Sequence, residues 1–159
     1  MSSKMKLGRV AGPVLIACAA AVAAAPVSAQ EVPMEKVEQA VKYRQNVMSA
    51  MGGLVGVAIG HLRDGFTYGP DLGMTASALQ ALSADIAALF PEGTDFGETD
   101  ATAEVWSDRA GFEDKSKEAA DATAAFAEAV KSGDKAATMQ AFKSVGDACK
   151  GCHETYRED

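Results

Sequence analysis

Residues 134–156 read DKAATMQAFKSVGDACKGCHETY. Phe142, Val145, Cys149, Cys152 and Tyr156 recur there at steps of three and four, the spacing of one helix face, and Asp134 stands where it can cap the helix. The same alternation runs back along the chain. Val37, Val41, Arg44, Met48, Met51, Val55, Ala58 and Leu62 form a long coiled-coil-like seam, ended by Asp64-Gly65 and a Gly-Pro loop at 69–70. Leu79, Leu82, Ile86 and Leu89 mark a second helix over 75–90, stopped by Pro91-Glu92-Gly93. Val105, Phe112, Ala119, Phe126 and Val130 mark a third, from about Thr102 to Ser132-Gly133. No strand-like alternation and no repeat of solenoid length interrupts the pattern. Four amphipathic helices joined by short to moderate loops predict an all-α fold, an antiparallel four-helix bundle.

The composition agrees with this and excludes other classes. The 159 residues allow one domain with a targeting segment. Thirty-two alanines against ten aromatic residues favour helices over strands. A net charge of −7 argues against nucleic-acid binding, and three cysteines are too few for a disulfide scaffold. The seams carry many small residues, so the helices either pack closely or enclose something large. Gly52, Gly56 and Gly60 repeat every four residues on the first helix, which asks for close packing, a subunit contact or a cofactor against the backbone.

The N-terminus reads as an address. Lys4, Lys6 and Arg9 precede an apolar run from Val10 to Ala25, and Val27-Ser28-Ala29 supplies the small residues of a cleavage site. The pattern predicts a secretory signal peptide over 1–29, with residues 30–159 as the exported domain. Gly12-Pro13 breaks the run too early for a membrane span of about 20 residues. A lipoprotein box ending at Cys18 is the alternative. Cleavage after Ala29 removes three basic and no acidic residues, leaving 12 basic against 22 acidic and a charge of −10.

Cys149-Lys150-Gly151-Cys152-His153 is C-x-x-C-H, the attachment signature of c-type haem. On a helix the three side chains point broadly one way, so two thiols can add to the haem vinyl groups while the imidazole ligates iron. A thioredoxin-like dithiol lacks its βαβ context, and a zinc site lacks ligands, since His61 is the only other His or Cys after residue 29. A disulfide across two residues of a helix would be strained. No Ser/His/Asp or paired-carboxylate arrangement points to a hydrolase, so a non-enzymatic haem protein is expected. A haem-free dithiol protein is the alternative from another class.

In an up-down-up-down bundle, the end of the fourth helix lies near the start of the first. Met48, on the first-helix seam, is therefore the candidate second axial ligand opposite His153. His61 lies about 20 Å further along that helix and is expected to be an exposed helix-end residue. Arg44, one turn before Met48 on the inward face, needs a partner if buried, and a haem propionate would serve.

With these residues in place the sequence resembles the class II cytochromes c, cytochrome c-prime and its low-spin, methionine-ligated relatives. The resemblance covers residues 30–159. It rests on Val41-Lys42-Tyr43-Arg44-Gln45 with Met48, on Val105-Trp106 with Phe112, and on Cys149 to His153 followed by Tyr156-Arg157. It implies haem c held in the bundle by Cys149, Cys152 and His153, often in a homodimer, with Met48 distal, Arg44 beside the haem and Arg157 as the basic residue near the proximal ligand. The 89–95 loop and the Met48-to-Gly53 stretch are closer to the low-spin branch. The leading expectation is thus a periplasmic one-electron carrier with His153/Met48 ligation, meeting redox partners with basic docking surfaces. Lys143, Lys150 and Arg157 are expected to leave the haem end less acidic than the rest. The alternative is a high-spin, five-coordinate cytochrome that binds NO or CO.

Overall fold

The computed structural model describes residues 33–67 and 69–158; the expected leader, with its alternative at Cys18, lies outside them. Helix α1 spans Met34–Leu62. Val37, Val41, Arg44 and Ala58 of its seam are buried, and Met48, Met51, Val55 and Leu62 are half-buried, so the alternating four-three spacing does mark the inward face. Helix α2 covers Leu72–Ser83, α3 Glu104–Ser107, α4 Arg109–Ser132 and α5 Lys135–Tyr156. No extended strand occurs among the described residues; the one β-bridge joins Ala101 to Arg157. Helix α4 packs along α5 and α2, and α1 packs along α2, giving a four-helix bundle to which α3 is a short prelude.

Aspartate side chains cap the N-termini of three helices, α2, α4 and α5. Asp71 accepts from the Met74 amide at 2.8 Å and starts α2 earlier than the hydrophobic spacing suggested. Gly133, at φ 74°, ends α4 in the left-handed region that glycine tolerates. Asp134 then caps α5 at once through the amides of Ala136 and Ala137, so α4 and α5 form a tight antiparallel hairpin.

Two helices are shorter than expected, one where tertiary bonds replace helical ones and one at a local cap. The second helix stops at Ser83, and Ala87–Leu89 forms a 3-10 turn. There the Ala87 amide donates to Ser116 Oγ, and Arg109 donates to the carbonyls of Ala87 and Phe90. The third breaks at Asp108, whose side chain caps α4 through the Gly111 amide. Ile86, Phe90 and Val105 remain buried across these breaks, which is why the apolar spacing looked continuous.

Two apolar clusters form the core. One joins Ile86, Phe90, Val105, Phe112 and Tyr156; the other joins Ala58, Leu79, Phe126 and Val145. A buried polar bridge, Ser83 Oγ to Thr123 Oγ1 at 2.7 Å, ties α2 to α4. The glycine strip is not explained by close packing within the chain. A Cβ at Gly52, Gly53 or Gly56 meets nothing within 4 Å, and only Gly60 has a close neighbour, Phe66. Gly56→Ala should therefore raise stability, by up to about 1 kcal/mol. A lower denaturant midpoint would mean instead that the strip is covered in solution.

Candidate functional site

A cavity of about 800 Å3 opens into the bundle where α1, α4 and α5 meet. This is within the range of sites that hold a sizeable organic group, and far above the voids a close-packed interior tolerates. Arg44, Met48, Met51, Gly52 and Val55 line it from α1, and Cys149, Cys152, His153 and Tyr156 from α5. Leu79, Ile86, Phe90, Phe112, Ala119 and Thr123 complete a largely apolar wall. Every candidate taken from the sequence thus borders one space.

The two cysteines are free and half-buried. Burial pushes both thiols up, and for Cys152 the neighbouring Cys149 adds to the effect, so both stay protonated at neutral pH. His153 borders the cavity and is exposed. The protein mass beside it, and then the charge of Arg157, hold its imidazole below the ordinary value, which keeps a nitrogen lone pair available. Among the described residues, no group of three or more His, Cys, Asp or Glu is arranged to hold a bare metal ion.

Arg44 finds neutral partners within the chain. It is 2% exposed, and its guanidinium donates to neutral acceptors: the Thr94 carbonyl from both Nη atoms, Thr94 Oγ1, and Thr99 Oγ1 at 2.7 Å. It also lies 4.9 Å from the Phe90 ring centroid and 5.5 Å from that of Trp106. Burial lowers its pKa from the ordinary value, but these contacts suit the charged form. His61 is half-buried rather than exposed. It bonds the Pro70 carbonyl at 2.7 Å, outside the cavity lining. The basic residues near the cavity end do not stand as free charges either. Lys143 pairs with Asp147, Lys150 with Glu154 and Arg157 with Asp100, all exposed.

Sequence reasoning placed Tyr156 and Phe112 on inward faces but missed Asp108 and Gly111, which help to brace the last turn of α5. Tyr156 Oη donates to Asp108 Oδ2 at 2.7 Å, and the Tyr156 ring packs edge-on to Phe112. Gly111 makes room for the pair, since a Cβ there would lie 2.6 Å from Tyr156 Oη. The available signal was Ser107-Asp108 as a cap pair inside what reads as one long helix. Tyr156 is pushed up to about 12, first by burial and then by its bond to Asp108. Folding favours the protonated phenol, so its contribution is complete below pH 10 and is lost as pH rises towards 12. Tyr156→Phe should flatten the fall in stability over that interval, read as denaturant midpoint against pH; an equally steep fall would refute the assignment. Gly111→Ala should cost about 1–3 kcal/mol in the same measurement.

A family model described as Cytochrome C' matches residues 39–157. Cytochrome c' of Pararhodospirillum photometricum is 34% identical over 122 residues, 76% of this chain and 98% of that protein. Cytochrome c-554 of Cereibacter sphaeroides is 31% identical over 140 residues, 85% of this chain and 90% of that protein. Among solved structures, the nitric oxide complex of a point variant of cytochrome c prime from Alcaligenes xylosoxidans superposes with a TM-score of 0.70 at 34% identity, covering 77% of this chain and 96% of the other.

Proposed function

The chain belongs to the cytochrome c' family, the class II cytochromes c, and from that premise we propose that it is a gas-binding haem protein whose ligands are NO and CO. It carries covalently bound haem c, and the cavity suits that group: two unpaired thiols and an imidazole on one helix border an apolar space. When bound, the haem supplies an iron that takes up a diatomic gas or exchanges one electron. Cys149 and Cys152 would anchor the haem through thioether bonds, and His153, held below its ordinary pKa, would ligate its iron. Met48 crowds the distal side from α1. Arg44 brings a positive charge to the cavity wall that would suit a haem carboxylate, while its Nη hydrogen bonds remain with Thr94 and Thr99.

The observation that carries this reading is the engagement of Met48. It packs against the cluster of Ile86, Phe90 and Phe112, within a largely apolar cavity wall, in a fold that has a nitric oxide complex among its solved neighbours. An apolar, crowded pocket admits a small neutral gas and disfavours larger or charged ligands. A second reading keeps the thioether of Met48 as an iron ligand, making an electron carrier that docks on basic redox partners. Its support is that Met48 borders the same cavity as His153.

Export completes the proposal: removal of residues 1–29 would deliver residues 30–159 to the periplasm. Among the described residues no helix is long and apolar enough to cross a membrane. A second copy of the chain is a candidate partner for the uncharged stretch 45–60 of α1, where Gly53, Gly56 and Val57 are exposed.

The two readings part on simple spectroscopy. The gas-binding reading predicts a high-spin ferric spectrum and stoichiometric CO uptake by the reduced protein. Met48→Ala should then leave the spin state unchanged and speed CO association about tenfold or more. A low-spin spectrum that ignores CO and turns high-spin in Met48→Ala would establish the carrier instead.

A further inference from the structure

Helices α1 and α5 both border the cavity, and no packing comparable to that of α4 on α5 joins them. What links them is residues 94–102, a strap without regular secondary structure beyond the bridge residue Ala101. On the α1 side, Arg44 holds the Thr94 carbonyl, Thr94 Oγ1 and Thr99 Oγ1, and Gln45 Nε2 donates to the Glu98 carbonyl at 2.8 Å. On the α5 side, the Glu158 amide donates to the Asp100 carbonyl at 2.7 Å, and Thr102 donates to Tyr156 and Thr155 through its amide and hydroxyl. Gly97, at φ 91°, lets the chain turn between the two halves.

One atom joins those halves. Thr99 Oγ1 accepts from Arg44 Nη2 at 2.7 Å and from the Ala101 amide at 3.1 Å, and Ala101 is the residue bridged to Arg157. The route from Arg44, one turn before Met48, to the turn that follows His153 is a short chain of hydrogen bonds. Its α1 end is buried and charge-assisted, which makes it the stiffer kind of link.

We propose that the 94–102 strap sets the separation of α1 and α5 across the haem cavity, with Arg44 and Thr99 as the positioning residues, and so decides whether Met48 reaches the iron. The inference rests on the reading of His153 and Met48 as the residues facing that iron from the two helices. Arg44 acts here through the strap and Met48, not as a ligand. The strap is therefore the device that selects between gas binding and His/Met ligation in this chain.

The test compares the wild-type holoprotein with Thr99→Val, which keeps the side-chain volume and removes Oγ1, and Thr99→Ser, which restores it. Two quantities are read: amide exchange of Thr102 and Glu158, and the low-spin ferric fraction with and without Met48→Ala. Thr99→Val should exchange about tenfold faster at both amides, the factor expected for one lost charge-assisted bond. Its low-spin fraction should also shift, and Met48→Ala in the same chain should abolish the shift. Thr99→Ser should behave as wild type. Faster exchange with an unchanged spin state overturns the proposal, because the strap would then be structural only. If Thr99→Val does not fold, Gln45→Ala should give a smaller shift in the same direction, and no shift there overturns the proposal equally. The gas-binding reading stands or falls separately, on the wild-type spectrum alone. If that is low-spin and blind to CO, the strap still predicts a Met48-dependent shift, now towards high spin.

Discussion

The structure depends on a core that α1 and α5 do not close between themselves. Small residues among the large ones of its lining, Gly52, Ala119 and Gly146, help leave a cavity of about 800 Å3, far above the voids of a close-packed interior. The remaining packing is arranged around that space. The cluster of Ile86, Phe90, Phe112 and Tyr156 forms one end of its wall, and Leu79 from the second cluster forms another part. A large, mostly apolar group with two attachment points completes such a core, and the family to which the chain belongs supplies it as haem c. The cofactor is then part of the hydrophobic interior as well as the seat of the chemistry.

An interior built this way must also hold polar groups without leaving them unpaired. Among the described residues no buried side-chain nitrogen or oxygen lacks a hydrogen-bond partner. Arg44 is the costliest of these groups, and it is satisfied by oxygens of Thr94 and Thr99 and by two aromatic faces. The Ser83–Thr123 bridge and the Tyr156–Asp108 bond do the same at smaller scale. Each of these contacts joins segments distant in sequence. The polar interior therefore fixes how helices and loops are placed around the cavity, while the apolar interior supplies the bulk of the packing.

Much of this was legible from residues alone, for identifiable reasons. The four-three seam of α1 and the Ser132-Gly133-Asp134 junction before α5 report local geometry, and local geometry is what periodicity encodes. Cys149, Cys152 and His153 were legible because their chemistry needs a fixed spacing on one helical turn. The break at Ser83 was not, because its causes, Ser116 and Arg109, lie far along the chain; at Asp108 the local cap left a signal but its bond to Tyr156 did not. Arg44 was recognised as inward-facing, but its partners were not, since Thr94 and Thr99 lie in a loop with no periodic signal. The family resemblance pointed to the low-spin branch, whereas the relative from Pararhodospirillum photometricum is a cytochrome c' and the solved neighbour from Alcaligenes xylosoxidans is a nitric oxide complex.

The central claim is that Cys149 and Cys152 bind haem covalently in the space between α1 and α5. Expression with haem-attachment machinery, followed by mass measurement of the unfolded chain and its proteolytic peptides, tests it directly. The account predicts one haem per chain that survives denaturation and is retained on the peptide containing Cys149 and Cys152. A bare chain, with both thiols free to alkylation after that treatment, would contradict it.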